Sequence, residues 1–87
     1  MTYRIELTPA ARRDLAALSH EVLRRIDAHI RALAQNPHPP GAKKLQGSEG
    51  FFRIRVGDYR VIYMVERHQL IIVIVRIGHR RAVYRGH

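Results

Sequence analysis

Cysteine and tryptophan are both absent from these 87 residues. Without cysteine there is no disulfide framework and no thiolate metal site. Long apolar runs are missing too: the longest, Leu70 to Val75, is far too short to span a bilayer. The first twenty residues mix arginines with acids and contain no apolar core, which argues against a signal peptide. A soluble cytoplasmic protein with no membrane partner is the expectation. Acids are scarce, seven Asp/Glu against sixteen Lys/Arg, and none of them forms a convincing pair for carboxylate catalysis. The six histidines are scattered and lack zinc-site spacing, so neither a metal nor a cofactor is expected. No glycine-rich phosphate loop follows a strand.

What is present is basic charge, unevenly spread. The formal net charge is +9. Residues 1–40 hold six Lys/Arg and four Asp/Glu, whereas residues 41–87 hold ten and three. Fourteen of the sixteen basic residues are arginine, the side chain suited to planar, bidentate recognition of phosphate. Such a field favours nucleic acid or an acidic partner. Nearly half the residues are apolar, so residues 1–87 read as one globular domain with its own core.

The pattern predicts an α+β fold in the order β-α-α-β-β-β, a helical hairpin packed on a small, mostly antiparallel sheet. Tyr3 to Leu7 alternate as a strand. Thr8-Pro9 supplies an N-cap and a proline at the first helical position, with Ala11, Leu15 and Leu18 following at helical spacing. Ser19 caps a second helix whose stripe is Leu23, Ile26, Ile30 and Leu33. Asn36-Pro37 ends it, and residues 37–42, PHPPGA, form a stiff loop. Lys43 to Gly50 reads as a loop anchored at Leu45. Leu70 to Ile77 is apolar on both faces, as in a central strand or one awaiting a partner.

The first hairpin can be registered from its turn. Val56 and Tyr59 flank Gly57-Asp58, a two-residue loop with glycine first, which suits a primed turn. That sets Arg55 opposite Arg60. Phe52, Ile54, Val56, Tyr59, Val61 and Tyr63 then share the inner face, and Arg53, Arg55 and Arg60 the other. Like charges directly opposite destabilise a bare sheet, so the arrangement points to a bound anion, and phosphate is the natural choice. If Glu66 to Gln69 form the next turn, Tyr59 lies near Arg76. His79, Arg80 and Arg81 then emerge beside Arg55 and Arg60, with Tyr84 in reach. Arg76 is expected in a structural ion pair.

RNA can be cut in such a hollow without a cofactor, by attack of the ribose 2′-oxygen on its own 3′-phosphate. The reaction needs alignment, charge stabilisation, a base and an acid. Arginines align and stabilise but are poor bases. His79 is the nearest titratable candidate, ahead of Tyr84, whose ring is suited to stacking on a base.

The segments LTPAARRDLAAL, NPHPPGAKKLQG, FFRIRVGDYRVIY and RIGHRRAVYR resemble the RelE/ParE superfamily of bacterial toxins, the RelE-like branch in particular, over essentially the whole chain. The resemblance implies a toxin of a type II toxin–antitoxin system that cleaves messenger RNA in the A site of the small ribosomal subunit and so inhibits translation. It also implies a cognate antitoxin that wraps and blocks the toxin, and contact with operator DNA only through that complex. Residue by residue it implies catalytic roles for Arg53, Arg55, Arg60, Arg80 and Tyr84, with Arg81 an alternative to Arg80. Lys43, Lys44, Arg81 and Arg85 are further candidates for RNA or phosphate contact, and His79 for acid/base work. Arginines stand where some relatives carry lysines, which leaves the base unidentified. The rival implication is a ParE-like poison of DNA gyrase without ribonuclease activity, or an inactive or merely nucleic-acid-binding relative.

Overall fold

The computed structural model describes residues 2–47 and 49–79. Seven elements follow one another: β1 (Arg4–Leu7), α1 (Pro9–Ala16), α2 (His20–Leu33), β2 (Lys43–Lys44), β3 (Phe51–Val56), β4 (Tyr59–Glu66) and β5 (Ile71–His79). The strands form one sheet in the order β1-β5-β4-β3-β2. Only β1 and β5 run parallel; the other pairs are antiparallel. The expected α+β arrangement is therefore observed, with one strand more than expected. Lys43 and Lys44, read as loop, pair with Arg53 and Phe52 as a short edge strand.

Both helices begin at the expected caps. Thr8 Oγ1 accepts a hydrogen bond from the Ala11 N–H at 3.0 Å, and Ser19 Oγ accepts one from Val22 at 3.4 Å. The helices cover one face of the sheet. Ala11, Ile26, Ile30 and Leu33 bury against Ile54, Val56, Val61, Tyr63, Ile72, Ile74 and Ile77. Leu23, on the same stripe, is half-buried. Removing this much aliphatic surface from water is the main stabilising term, roughly 1.5–3 kcal/mol per fully buried side chain.

Tyr63 joins the core to the loop after α2. It is fully buried, and its hydroxyl donates to the Pro37 carbonyl at 2.7 Å. Phe52 stacks on it at 5.8 Å, and His38 meets Phe52 edge-on at 4.6 Å. Burial pushes the Tyr63 phenol up to about 12. The loop is thus pinned at Pro37, ahead of its Pro39-Pro40-Gly41 stretch.

The second hairpin departs from its expected register. Glu66 pairs with Ile71 rather than Gln69, because the turn runs two residues longer and includes Leu70 at φ 55°. A bulge between Ile62 and Tyr63 adds a third residue. Tyr59 consequently faces His79, and Arg76 faces Ile62. On the other side of β5, β1 ends at Leu7, level with Ile74. Beyond that point α1 takes over the strand edge. Thr8 Oγ1 donates to the Val75 carbonyl at 2.8 Å, and the Ile77 N–H donates to Asp14 Oδ2 at 2.8 Å. Arg76 completes the clamp with Nε to Asp14 Oδ2 at 2.9 Å, and this hydrogen bond and the attraction of Asp14 raise its pKa above the ordinary arginine value. The structural ion pair expected for Arg76 is this one.

Candidate nucleic-acid interface

The face of the sheet away from the helices carries the basic residues. Gly57, at φ +61°, allows the tight turn that joins β3 to β4. The turn sets the register, and the register makes Arg55 and Arg60 direct partners, as expected from the sequence. One pair along, Lys43 lies opposite Arg53. Two like-charged cross-strand pairs therefore sit side by side. None of the three ion pairs among the described residues involves Arg53, Arg55 or Lys43; they are Arg4–Glu6, Arg31–Asp27 and Arg76–Asp14.

The floor beneath the arginines is apolar, which the sequence reading did not bring out. Ile62 occupies this face between Arg53 and Arg76 in register, and is only 1% exposed. Phe51, Met64 and Val73 continue the same face as register partners. An apolar floor lowers the local dielectric and strengthens any arginine–phosphate contact made above it.

The remaining candidates distribute as follows. Lys44 pairs with Phe52, so its position in register belongs to the helix-side face, although the residue is exposed. His79 is one residue beyond Gly78, the partner of Arg60. Its ring does not lie beside Arg55 and Arg60. It meets Tyr59 edge-on at 5.9 Å, on the face that Tyr59 shares with the core. The longer turn and the bulge move His79 into register with Tyr59, and alternation then sends the ring to that face. Arg80, Arg81, Tyr84 and Arg85 lie outside the described residues. Among the described residues no group of three or more His, Cys, Asp or Glu is arranged to hold a metal ion, and no helix is long and apolar enough to cross a membrane.

A cavity of about 370 Å³ opens beside this face, between α2 and the edge of β3. His29 and Ala32 line it from α2, Pro39 to Gly41 from the loop, and Lys43, Arg53, Ile54 and Arg55 from the sheet. Arg53 and Arg55 thus belong both to the basic face and to the cavity. The sequence reading missed His29, because an isolated histidine on the polar side of a helix carries no local signal.

Residues 5–84 match the family described as the ParE toxin of type II toxin-antitoxin system, parDE. The chain is 31% identical over 86 residues to a protein named Toxin RelG from Mycobacterium tuberculosis, covering 98% of this chain and 99% of that protein. The fold is similar to the toxin–antitoxin complex RelBE2 from Mycobacterium tuberculosis, with a TM-score of 0.80 and 31% identity over 92% of this chain and all of that one. It is similar also to the archaeal RelE–RelB complex from Pyrococcus horikoshii, with a TM-score of 0.82 and 31% identity over 94% and 99% of the two chains.

Proposed function

This chain belongs to the RelE-like branch of the RelE/ParE superfamily of type II toxin–antitoxin toxins, and on that footing we propose that it is an endoribonuclease that cleaves messenger RNA in the ribosomal A site and so inhibits translation. The observation that carries the reading is the pairing of Arg55 with Arg60 next to that of Lys43 with Arg53. Arg53, Arg55 and Lys43, none of them in an ion pair among the described residues, give the patch a positive field that a bound polyanion relieves. Guanidinium groups fit the requirement of phosphoryl transfer, which is alignment of the reacting oxygens and stabilisation of charge at phosphorus.

In the proposed reaction the 2′-oxygen attacks the adjacent phosphorus, leaving a cyclic phosphate and a free 5′-hydroxyl. Arg53, Arg55 and Arg60 hold the phosphate; Arg80 and Tyr84 add charge and a stacking surface. The arginines supply charge but no base of their own, so the bent, cleavable conformation of the message comes from the ribosome. Its natural inhibitor is an antitoxin segment that brings acids to the arginines and apolar side chains to the exposed surface.

The match to the ParE description favours one rival, a gyrase poison that cuts no RNA. A poison of that kind has no need of two like-charged pairs built for phosphate. Brief expression of the toxin, with mapping of 5′ ends on messenger RNA and scoring of gyrase-linked DNA breaks in the same cells, separates the two. New message ends without DNA breaks support the ribonuclease; breaks without new ends support the poison.

A further inference from the structure

We propose that His29 is the group that takes the 2′-hydroxyl proton, acting from the cavity at the edge of β3. The inference rests on the ribonuclease reading and fills the gap it leaves. Arg53, Arg55 and Arg60 are poor bases, and His79, which meets Tyr59 edge-on, is not among the residues that line the cavity holding Arg53 and Arg55.

Three observations converge on His29. First, it lines the same cavity as Arg53, Arg55 and Lys43. At about 370 Å³ that cavity lies in the range of small-ligand sites, large enough for one nucleotide. Second, the ring is held in one tautomer. Nδ1 lies 2.9 Å from the Arg25 carbonyl, which can only accept, so Nδ1 carries the proton. The neutral ring then presents an unprotonated Nε2 on its far edge, as a proton acceptor requires. Third, the opposite wall offers a place for the phosphate. Among the described residues β2 pairs only with Phe52 and Arg53, and no other strand pairs with the edge of β3 beyond Arg53. Alternation places the peptide N–H of Arg55 on that side, as it places the pairing groups of Arg53 toward Lys43. Arg55 therefore offers both a backbone donor and a guanidinium, while Pro39 to Gly41 close the cavity opposite.

The step balances. The O2′–P bond forms as the 2′-hydroxyl proton passes to Nε2. The P–O5′ bond breaks, and O5′ takes a proton from water. The hydroxide left behind is neutralised by the proton that His29 then releases.

The test is single-turnover cleavage of message on programmed ribosomes by the full-length toxin. His29→Ala should lower the maximal rate by roughly 10²–10⁴, the contribution typical of general base catalysis. Half-saturating concentration should stay within about twofold, and binding to ribosomes carrying message with a 2′-deoxy nucleotide at the cleavage point should be unchanged. Alanine favours helix, so the variant should melt with the wild type. Free imidazole added to His29→Ala should restore at least about tenfold of the rate, a recovery that a structural role would not give. His20→Ala, an exposed histidine on the same helix, should cleave as the wild type does. A His29→Ala rate within about threefold of wild type, or a loss that imidazole leaves unrestored, overturns the assignment while leaving the ribonuclease reading intact. An inert wild type overturns both.

Discussion

Arg55 and Arg60 are direct cross-strand partners, on the face of the sheet opposite the helices. Opposed like charges add nothing to the stability of a sheet, so the pairing itself is no support for the fold. Arg55 is exposed, so its truncation opens no core cavity. Arg55→Ala should therefore melt near the wild-type temperature while cleavage falls by roughly 10²–10³, as when one transition-state donor is lost. Circular dichroism melts and cleavage on programmed ribosomes check the two halves separately.

Arg80 and Tyr84 are assigned charge and stacking in the proposed reaction, and their loss should show there. Arg80→Ala should abolish growth inhibition and leave the melt near wild type. Tyr84→Phe should be milder than Tyr84→Ala, since a phenyl ring still stacks and only the hydroxyl is lost. Growth assays on the three variants, each with antitoxin binding as a folding control, test the order.

Asp14 is the stabilising residue of the β5 edge. It accepts from Arg76 Nε and from the Ile77 N–H, and its side chain is only 16% exposed. Asp14→Ala leaves a backbone donor and a half-covered guanidinium without their partner, which should cost about 1–3 kcal/mol. Arg76→Met, which keeps the carboxylate bonded to Ile77, should cost less. Urea unfolding of both variants measures the difference.

Tyr63 predicts an alkaline limit to stability. Its folded pKa, about 12, lies above the unfolded value of 10.0. The folded state holds the proton more tightly, so the stabilisation is fully present below pH 10.0 and is lost as pH rises toward about 12. Two pKa units correspond to about 2–3 kcal/mol. Tyr63→Phe should lack that component of the pH dependence. At neutral pH it should be about 1 kcal/mol less stable through loss of the bond to Pro37. Stability of the two proteins measured in parallel from neutral to alkaline pH decides it.

The antitoxin prediction is ionic. An acidic inhibitory segment should lose affinity as salt screens the arginines, and its binding should raise the melting temperature of the toxin. Calorimetry at low and high ionic strength is the check; a constant affinity would place the contact away from Arg53, Arg55 and Arg60.

The parts of the fold that short-range chemistry governs were readable from the residues. Thr8 and Ser19 announced the helix starts, and Gly57-Asp58 announced both the turn and the pairing of Arg55 with Arg60. The second hairpin was not readable, because its register depends on a turn with a left-handed leucine and on a bulge whose partner groups lie on α1, some sixty residues away in sequence. That error alone misplaced His79. The pairing of Lys43 with Arg53 escaped notice because two residues carry no strand periodicity. His29 and the cavity were invisible for a related reason: they exist only once α2, the loop after it and β3 are brought together.

The central claim is most directly tested with purified toxin and ribosomes programmed with a defined message, in a buffer exchanged free of antitoxin. Wild-type protein should produce discrete 5′-hydroxyl ends in the A-site codon, and bare message at the same concentration should be cut far more slowly. An Arg55→Ala, Arg60→Ala double variant should leave the message intact while keeping its fold. Intact message with wild-type toxin, or equal cutting by the double variant, would contradict the account.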